Sequence, residues 1–202
     1  PEHDNLSGDN VYSSKGAIHY ITESEINKAK PYLMDKIKGQ EIISLILGGP
    51  NKYYAFDKKE LAKIFNEIKS NFLSKGYKVI VIPSLRTPKT IIDLAIKEFD
   101  VNSYVLNSVN KQAYLSALAL ATNIVVTCDS TSMISEAASS GKPIFVAHMK
   151  SKRDNYRFKR FFKLFKEMGI IRDLGEKVES WTYTKLNEAE RIAAIINNKI
   201  KN

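Results

Sequence analysis

The sequence predicts an α/β fold, a Rossmann-like three-layer arrangement in which a parallel sheet carries helices on both faces. Short apolar runs alternate with helical segments through the middle of the chain, the pattern that gives parallel strands joined by right-handed crossovers. Those runs are apolar on consecutive residues and rich in Ile and Val, which suits strands buried on both sides. The most informative stretch, residues 124–147, runs an apolar strand into a polar turn, a small-residue helix, Gly-Lys-Pro and a second apolar strand.

The elements follow in order. Residues 1–15 are polar and rich in Gly, Asp, Asn and Ser, and read as a loop or linker. Residues 16–22 form a short extended piece, and Thr22-Glu23-Ser24-Glu25 opens a helix through Lys30. The first strand spans 41–47 and ends in Gly48-Gly49-Pro50. Leu61, Ile64, Phe65, Ile68 and Phe72 have helical spacing over 57–74, with Gly76 as the stop. A second strand at 78–82 exits through Ser84-Leu85-Arg86-Thr87-Pro88, and Pro88 suits the first turn of a helix to about 99. A third strand at 103–106 and a helix at 111–121 lead to strands at 124–126 and 143–146, joined by a helix that Gly141 ends. A basic, aromatic helix at 151–168 and a last one at 187–201 complete the chain. The expected division is 1–40, linker and helix, and 41–202, the Rossmann-like domain.

The 202 residues are 44% hydrophobic, enough for one substantial core. A formal net charge of +9 is compatible with nucleic acid, an anionic membrane surface or an acidic substrate such as a nucleotide. No recognised nucleic-acid module accompanies it, so nucleic acid is the least supported partner. Cys128 is the single cysteine, which excludes an internal disulfide and leaves a buried filler or a thiol nucleophile without an evident His partner. His3, His19 and His148 lack metal-ligand spacing, so no metal is expected; His148, just past a strand, is placed near the pocket edge. No apolar run approaches the ~18 residues of a membrane span, and no signal-peptide pattern is present. The expected location is the cytoplasm. A start at Pro1 fits either removal of an initiator Met or a truncated chain.

In parallel sheets ligands bind beyond the carboxyl ends of the strands. That rule selects three loops: Gly48-Gly49, residues 84–87 and residues 129–132. The two glycines allow close backbone approach or positive φ, or make an ordinary turn. Arg86 suits a phosphate fork with Thr87 supplying a hydroxyl, or a salt bridge. Asp129 is either a helix cap or one of a carboxylate pair with Glu136. Asp129, Ser130, Thr131 and Ser132 can each begin the helix, and the loop's hydroxyls and free N–H groups suit a phosphate. Glu136 is preferred as an acceptor for two vicinal ribose hydroxyls. A hydrolase triad is not expected, since Ser130 lies outside a G-x-S-x-G elbow and has no placed Asp/His pair. Residues 153–166 interleave Arg and Lys with Tyr156, Phe158, Phe161, Phe162 and Phe165. The segment suits either an anionic membrane or a core-facing aromatic stripe with a solvated basic back.

The run D-S-x-S-M-x-S-E-A-x-x-x-G-K-P at 129–143 resembles the bacterial members of the mitochondrial-fission ELM family. These are labelled nucleoside-diphosphate-sugar epimerase-like and are similar to GT-B glycosyltransferases. Pro1-x-His3-Asp4, the 8–10 region, Gly16-Ala17, Gly48-Gly49-Pro50 and Trp181-x-Tyr183 add to the resemblance. Ser84-Leu85-Arg86-Thr87-Pro88 resembles the family's S-R-R-T-P with Leu85 in place of the first Arg. Asn110 and Tyr114 resemble its N-P-Y without the Pro.

The resemblance implies the C-terminal half of a GT-B fold, with the N-terminal acceptor domain absent. It implies a nucleotide-sugar donor as substrate and no cofactor. The donor would be held by Gly48, Gly49, Ser84, Arg86, Thr87, Asp129, Ser130, Ser132, Met133 and Glu136, with Glu136 on the ribose and Arg86 and the helix start on the diphosphate. The catalytic base would lie in the other domain, so this half binds without turning over. Two alternatives stay open: a nucleotide-sugar epimerase of the same fold, and a non-catalytic scaffold peripheral to the inner membrane, since eukaryotic relatives are implicated in recruiting fission machinery.

Overall fold

The computed structural model describes residues 1–37, 39–99, 103–175 and 178–201. Among these residues six strands form one parallel sheet: β1 (Ile42–Leu47), β2 (Lys78–Pro83), β3 (Tyr104–Val105), β4 (Asn123–Thr127), β5 (Ile144–Ala147) and β6 (Ile171–Asp173). Their order is β3-β2-β1-β4-β5-β6. The order reverses between β1 and β4, the switch point at which open α/β sheets take ligands. The helices are α1 (Glu23–Ala29), α2 (Met34–Ile37), α3 (Lys58–Asn71), α4 (Lys89–Glu98), α5 (Lys111–Leu120), α6 (Thr131–Ala138), α7 (Tyr156–Glu167) and α8 (Glu188–Lys201). The expected strands and helices all form, with ends moved by a few residues. β6 was not expected, because its three residues, Ile-Arg-Asp, carry no apolar run.

The core follows from the strand pattern. β1 is buried along its whole length, and along β2 the side chains alternate between two clusters. Val79 and Val81 join the main core, while Ile80 and Ile82 meet Leu33, Ala113 and Ala117 on the other side. Ser44, buried in mid-strand, donates to the Ala117 carbonyl at 2.7 Å, tying α5 to the sheet. A buried hydroxyl in such a place must find a partner, and a free helical carbonyl lone pair supplies it.

The aromatic stripe of the basic segment faces the core. Phe158, Phe161, Phe162 and Phe165 are buried in the core, so α7 offers a surface only its basic back and the exposed Tyr156. Much of that back is already paired: Arg157 with Asp4 at 2.5 Å, Lys166 with Asp173 at 2.5 Å, and Arg160 Nε donating to the His3 carbonyl at 2.9 Å.

The polar N-terminus packs against the domain. His3 is 3% exposed and meets Phe161 edge-on at 5.2 Å. Desolvation lowers its pKa to about 4, so the ring is neutral at pH 7. Farther on, the Lys15 N–H donates to Glu188 at 2.6 Å and the Ala17 N–H to Ser135 Oγ at 3.0 Å. A Cβ on Gly16 would run into Ser135, Leu186 and Phe165, so this segment lies hard against α6, α7 and the approach to α8. No helix among the described residues is long and apolar enough to cross a membrane.

Candidate functional site

The loops after β1, β2 and β4 meet beyond the carboxyl ends of their strands, and their polar residues divide into two groups. The first is a closed clasp. Asp129 is 3% exposed. Its carboxylate accepts from the Gly49 N–H at 2.9 Å, from Thr127 Oγ1 at 2.7 Å and from an Arg86 terminal nitrogen at 2.9 Å. The other Arg86 terminal nitrogen donates to the Gly49 carbonyl at 2.9 Å. Thr87 Oγ1 lies 2.6 Å from the Gly48 carbonyl, receives the Ser84 N–H at 2.8 Å and sits 3.2 Å from Ser84 Oγ. Asn51 donates to the Asp129 carbonyl at 3.0 Å and completes the knot.

This arrangement revises three sequence expectations. Asp129 does not cap α6: Ser130 does, its Oγ accepting from the Met133 N–H at 3.3 Å, and Ser132 is exposed on the first turn. The guanidinium of Arg86 is committed to protein acceptors, the salt-bridge reading of that residue. Gly48 and Gly49 keep negative φ, and the space a Cβ would need is filled by the Asp129 carboxylate and the Arg86 backbone. The glycines are required because the loops approach one another so closely.

The second group borders an open cleft of about 310 Å³ on the β2, α5 and α6 side of the switch point. Three nominated residues, Ser84, Met133 and Glu136, line it. Glu136 is half-buried one turn into α6, and Tyr114 of α5 donates its hydroxyl to Oε2 at 2.8 Å. Burial raises the Glu136 pKa, and the Tyr114 hydrogen bond opposes that rise. Burial and the neighbouring carboxylate push the Tyr114 phenol well above its ordinary value, so it keeps the proton it donates to Glu136. Asn110 and Lys111 also line the cleft, and the rest is apolar, with Ile82, Pro83 and Val109 in its walls and Leu85 and Tyr20 standing on its rim, 91% and 67% exposed.

Tyr20, Leu85 and Lys111 are cleft residues that sequence reasoning did not nominate. Leu85 stands in place of the first Arg of the motif, and Tyr20 lies in the 16–22 segment read as a short extended piece. Tyr114 was quoted without a role; its spacing from Glu136 has no local meaning, since only the tertiary fold brings the two side chains within hydrogen-bond reach. His148 is not among the cleft residues: it pairs with Asp173 at 2.7 Å and stands edge-on to Phe162. Cys128 is wholly buried, and desolvation pushes its thiol up to about 12, which removes the nucleophile reading and leaves the filler.

Fold and cleft together define a Rossmann-like α/β domain whose cavity lies where such sheets receive ligands. The chain belongs to the mitochondrial fission ELM1 family, whose model matches residues 1–200. It is 29% identical to the mitochondrial fission protein ELM1 of Arabidopsis thaliana over 95% of this chain and 46% of that protein. It is 32% identical to the uncharacterized protein RP120 of Rickettsia prowazekii over 92% of this chain and 54% of that one. The chain therefore spans about half the length of these relatives. Among solved structures it is similar to S. aureus MnaA in a co-structure with UDP, with a TM-score of 0.51 and 17% identity over 81% of this chain and 39% of that chain. At that identity the likeness concerns the fold alone, and it extends over less than half of that chain.

Proposed function

We propose that this chain is the nucleotide-sugar-binding half of a GT-B-like glycosyltransferase. The observation that supports the reading best is Glu136 beside Tyr114 in the cleft. Tyr114 occupies one carboxylate oxygen and holds the group in place, leaving Oε1 to accept from a ribose hydroxyl. The diphosphate then lies toward the start of α6, where the N–H groups of Thr131 and Ser132 come before the first intrahelical donor, Ile134, and have no acceptor within the helix, and the helix dipole favours negative charge. Ser130 and Ser132 add hydroxyls there. Stabilising a departing diphosphate in this way is the electrostatic part of glycosyl transfer.

Within this reading the nominated residues have different tasks. Glu136, Met133 and Ser84 face the donor, and Ser130 and Ser132 face its phosphates. Asp129, Arg86, Thr87, Gly48 and Gly49 hold the loops in register. Arg86 reaches a phosphate only by giving up Asp129. The acceptor and the catalytic base belong to the other half of the longer protein.

A thermal-shift and calorimetry panel of UDP, GDP, ADP, CMP and their sugar conjugates tests the proposal, since a ligand that binds the folded chain raises its melting temperature. A saturable hit that Glu136→Ala weakens supports it; no hit at millimolar ligand refutes it. Incubating the longer protein with a donor sugar alone separates transfer from epimerisation, because an epimerised sugar formed without acceptor replaces the transferase reading.

A further inference from the structure

The N-terminal segment contributes more to the cleft than a linker would. Tyr20 and Ile21 both line it, although they precede β1 by some twenty residues. Ile21 is buried in the main core, and Thr22 forms a reciprocal capping box with Glu25 at the start of α1. Between the Ala17 N–H bond to Ser135 and this cap, the backbone at Tyr20 is held at both ends. The Tyr20 ring is nevertheless 67% exposed, with the Lys111 ammonium 4.5 Å from its centroid and 3.7 Å from Glu25. A large aromatic ring fixed on a rim without being buried pays a hydrophobic exposure that its own fold does not relieve.

We infer that Tyr20 packs against the planar base of the bound nucleotide, forming the outer wall of the base pocket with Leu85 on the facing rim. The inference rests on the donor-binding reading above. A weakly polar planar ring matches apolar walls made by Ile82, Pro83 and Val109, and a ribose joined to it comes within reach of Glu136 in the same cavity. Tyr20, Tyr114 and Glu136 line the same cavity, so the rim and the Glu136 pair belong to one site. Lys111 steadies the ring through its π face, which lowers the ordering cost when a ligand arrives. The chain preceding α1 is thus part of the binding site.

The test is calorimetry of UDP, GDP and ADP, with ribose 5-phosphate as the baseless probe, on the 202-residue chain and its Tyr20→Ala and Tyr20→Phe variants. The expected result is a loss of about 5- to 100-fold in nucleotide affinity for Tyr20→Ala, near-parental affinity for Tyr20→Phe, and equal melting temperatures. Ribose 5-phosphate affinity should not move between the three chains. A Tyr20→Trp variant reads the contact directly: its emission should quench with UDP and stay unchanged with ribose 5-phosphate. Parental nucleotide affinity in Tyr20→Ala together with no quenching in Tyr20→Trp overturns the inference and leaves the donor reading intact. So does an equal loss for ribose 5-phosphate. A parent chain that binds no nucleotide overturns the donor reading, and this inference with it.

Discussion

The clasp at Asp129, in the loop after β4, and the cleft at Glu136, on α6, belong to the same strand-loop-helix and have opposite characters. Asp129 is buried with three donors on its carboxylate, and the loops around it are closed by hydrogen bonds among themselves. Glu136 has one protein donor on Oε2 and borders open, largely apolar space. Both are acidic residues beyond the end of β4, and sequence position places both at the ligand edge. The difference teaches that polarity at a strand's carboxyl end marks either a ligand contact or the brace that holds one. A fully satisfied network is a brace, because a ligand gains nothing by breaking bonds it cannot better.

Perturbing the two halves should separate them. Asp129→Ala has the largest expected effect, a loss of about 3–5 kcal/mol in denaturant-induced unfolding, because it leaves the Gly49 N–H, the Thr127 hydroxyl and one Arg86 terminal nitrogen without their acceptor. A loss below about 1 kcal/mol would show that the clasp braces nothing. Gly49→Ala should cost about 1–3 kcal/mol by the same measurement, since the new Cβ overlaps the Arg86 backbone.

On the cleft side, Glu136→Ala should leave the unfolding midpoint close to the parent's and weaken nucleotide binding by about 1–3 kcal/mol in calorimetry. The reverse pattern, lost stability with unchanged binding, would make Glu136 a second brace and erase the contrast. Tyr114→Phe is the smallest change. It should reduce nucleotide affinity by about 1 kcal/mol and raise the Glu136 pKa further, because the bond that opposes the rise is gone.

A pH series sharpens the comparison without a ligand. The folded chain holds the Glu136 proton more tightly than the unfolded chain, whose value is near the ordinary 4.5. Parent stability should therefore fall relative to Glu136→Gln as pH rises from below 4.5 through the raised folded value, and the gap should then level off. A flat difference between the two chains would mean that burial does not perturb this carboxyl.

The alternating pattern of apolar strands and helices, read along the chain, determined the α/β class, the strand positions and the edge of the sheet on which polar loops gather. Those properties are local: a buried strand and an amphipathic helix each carry their own periodicity. The run from Asp129 to Pro143 likewise carried the family, since its glycine, hydroxyl and carboxylate spacing is written in consecutive residues. β6 escaped because three residues with one apolar member have no period to detect. Which loop residues brace and which face the cavity was decided only by tertiary structure. Arg86 meets Asp129, Tyr114 meets Glu136 and Tyr20 reaches the rim across 43, 22 and more than 60 positions of chain respectively. The physical reason is that satisfaction of a polar group depends on what folding brings beside it, and no spacing within a segment encodes that partner.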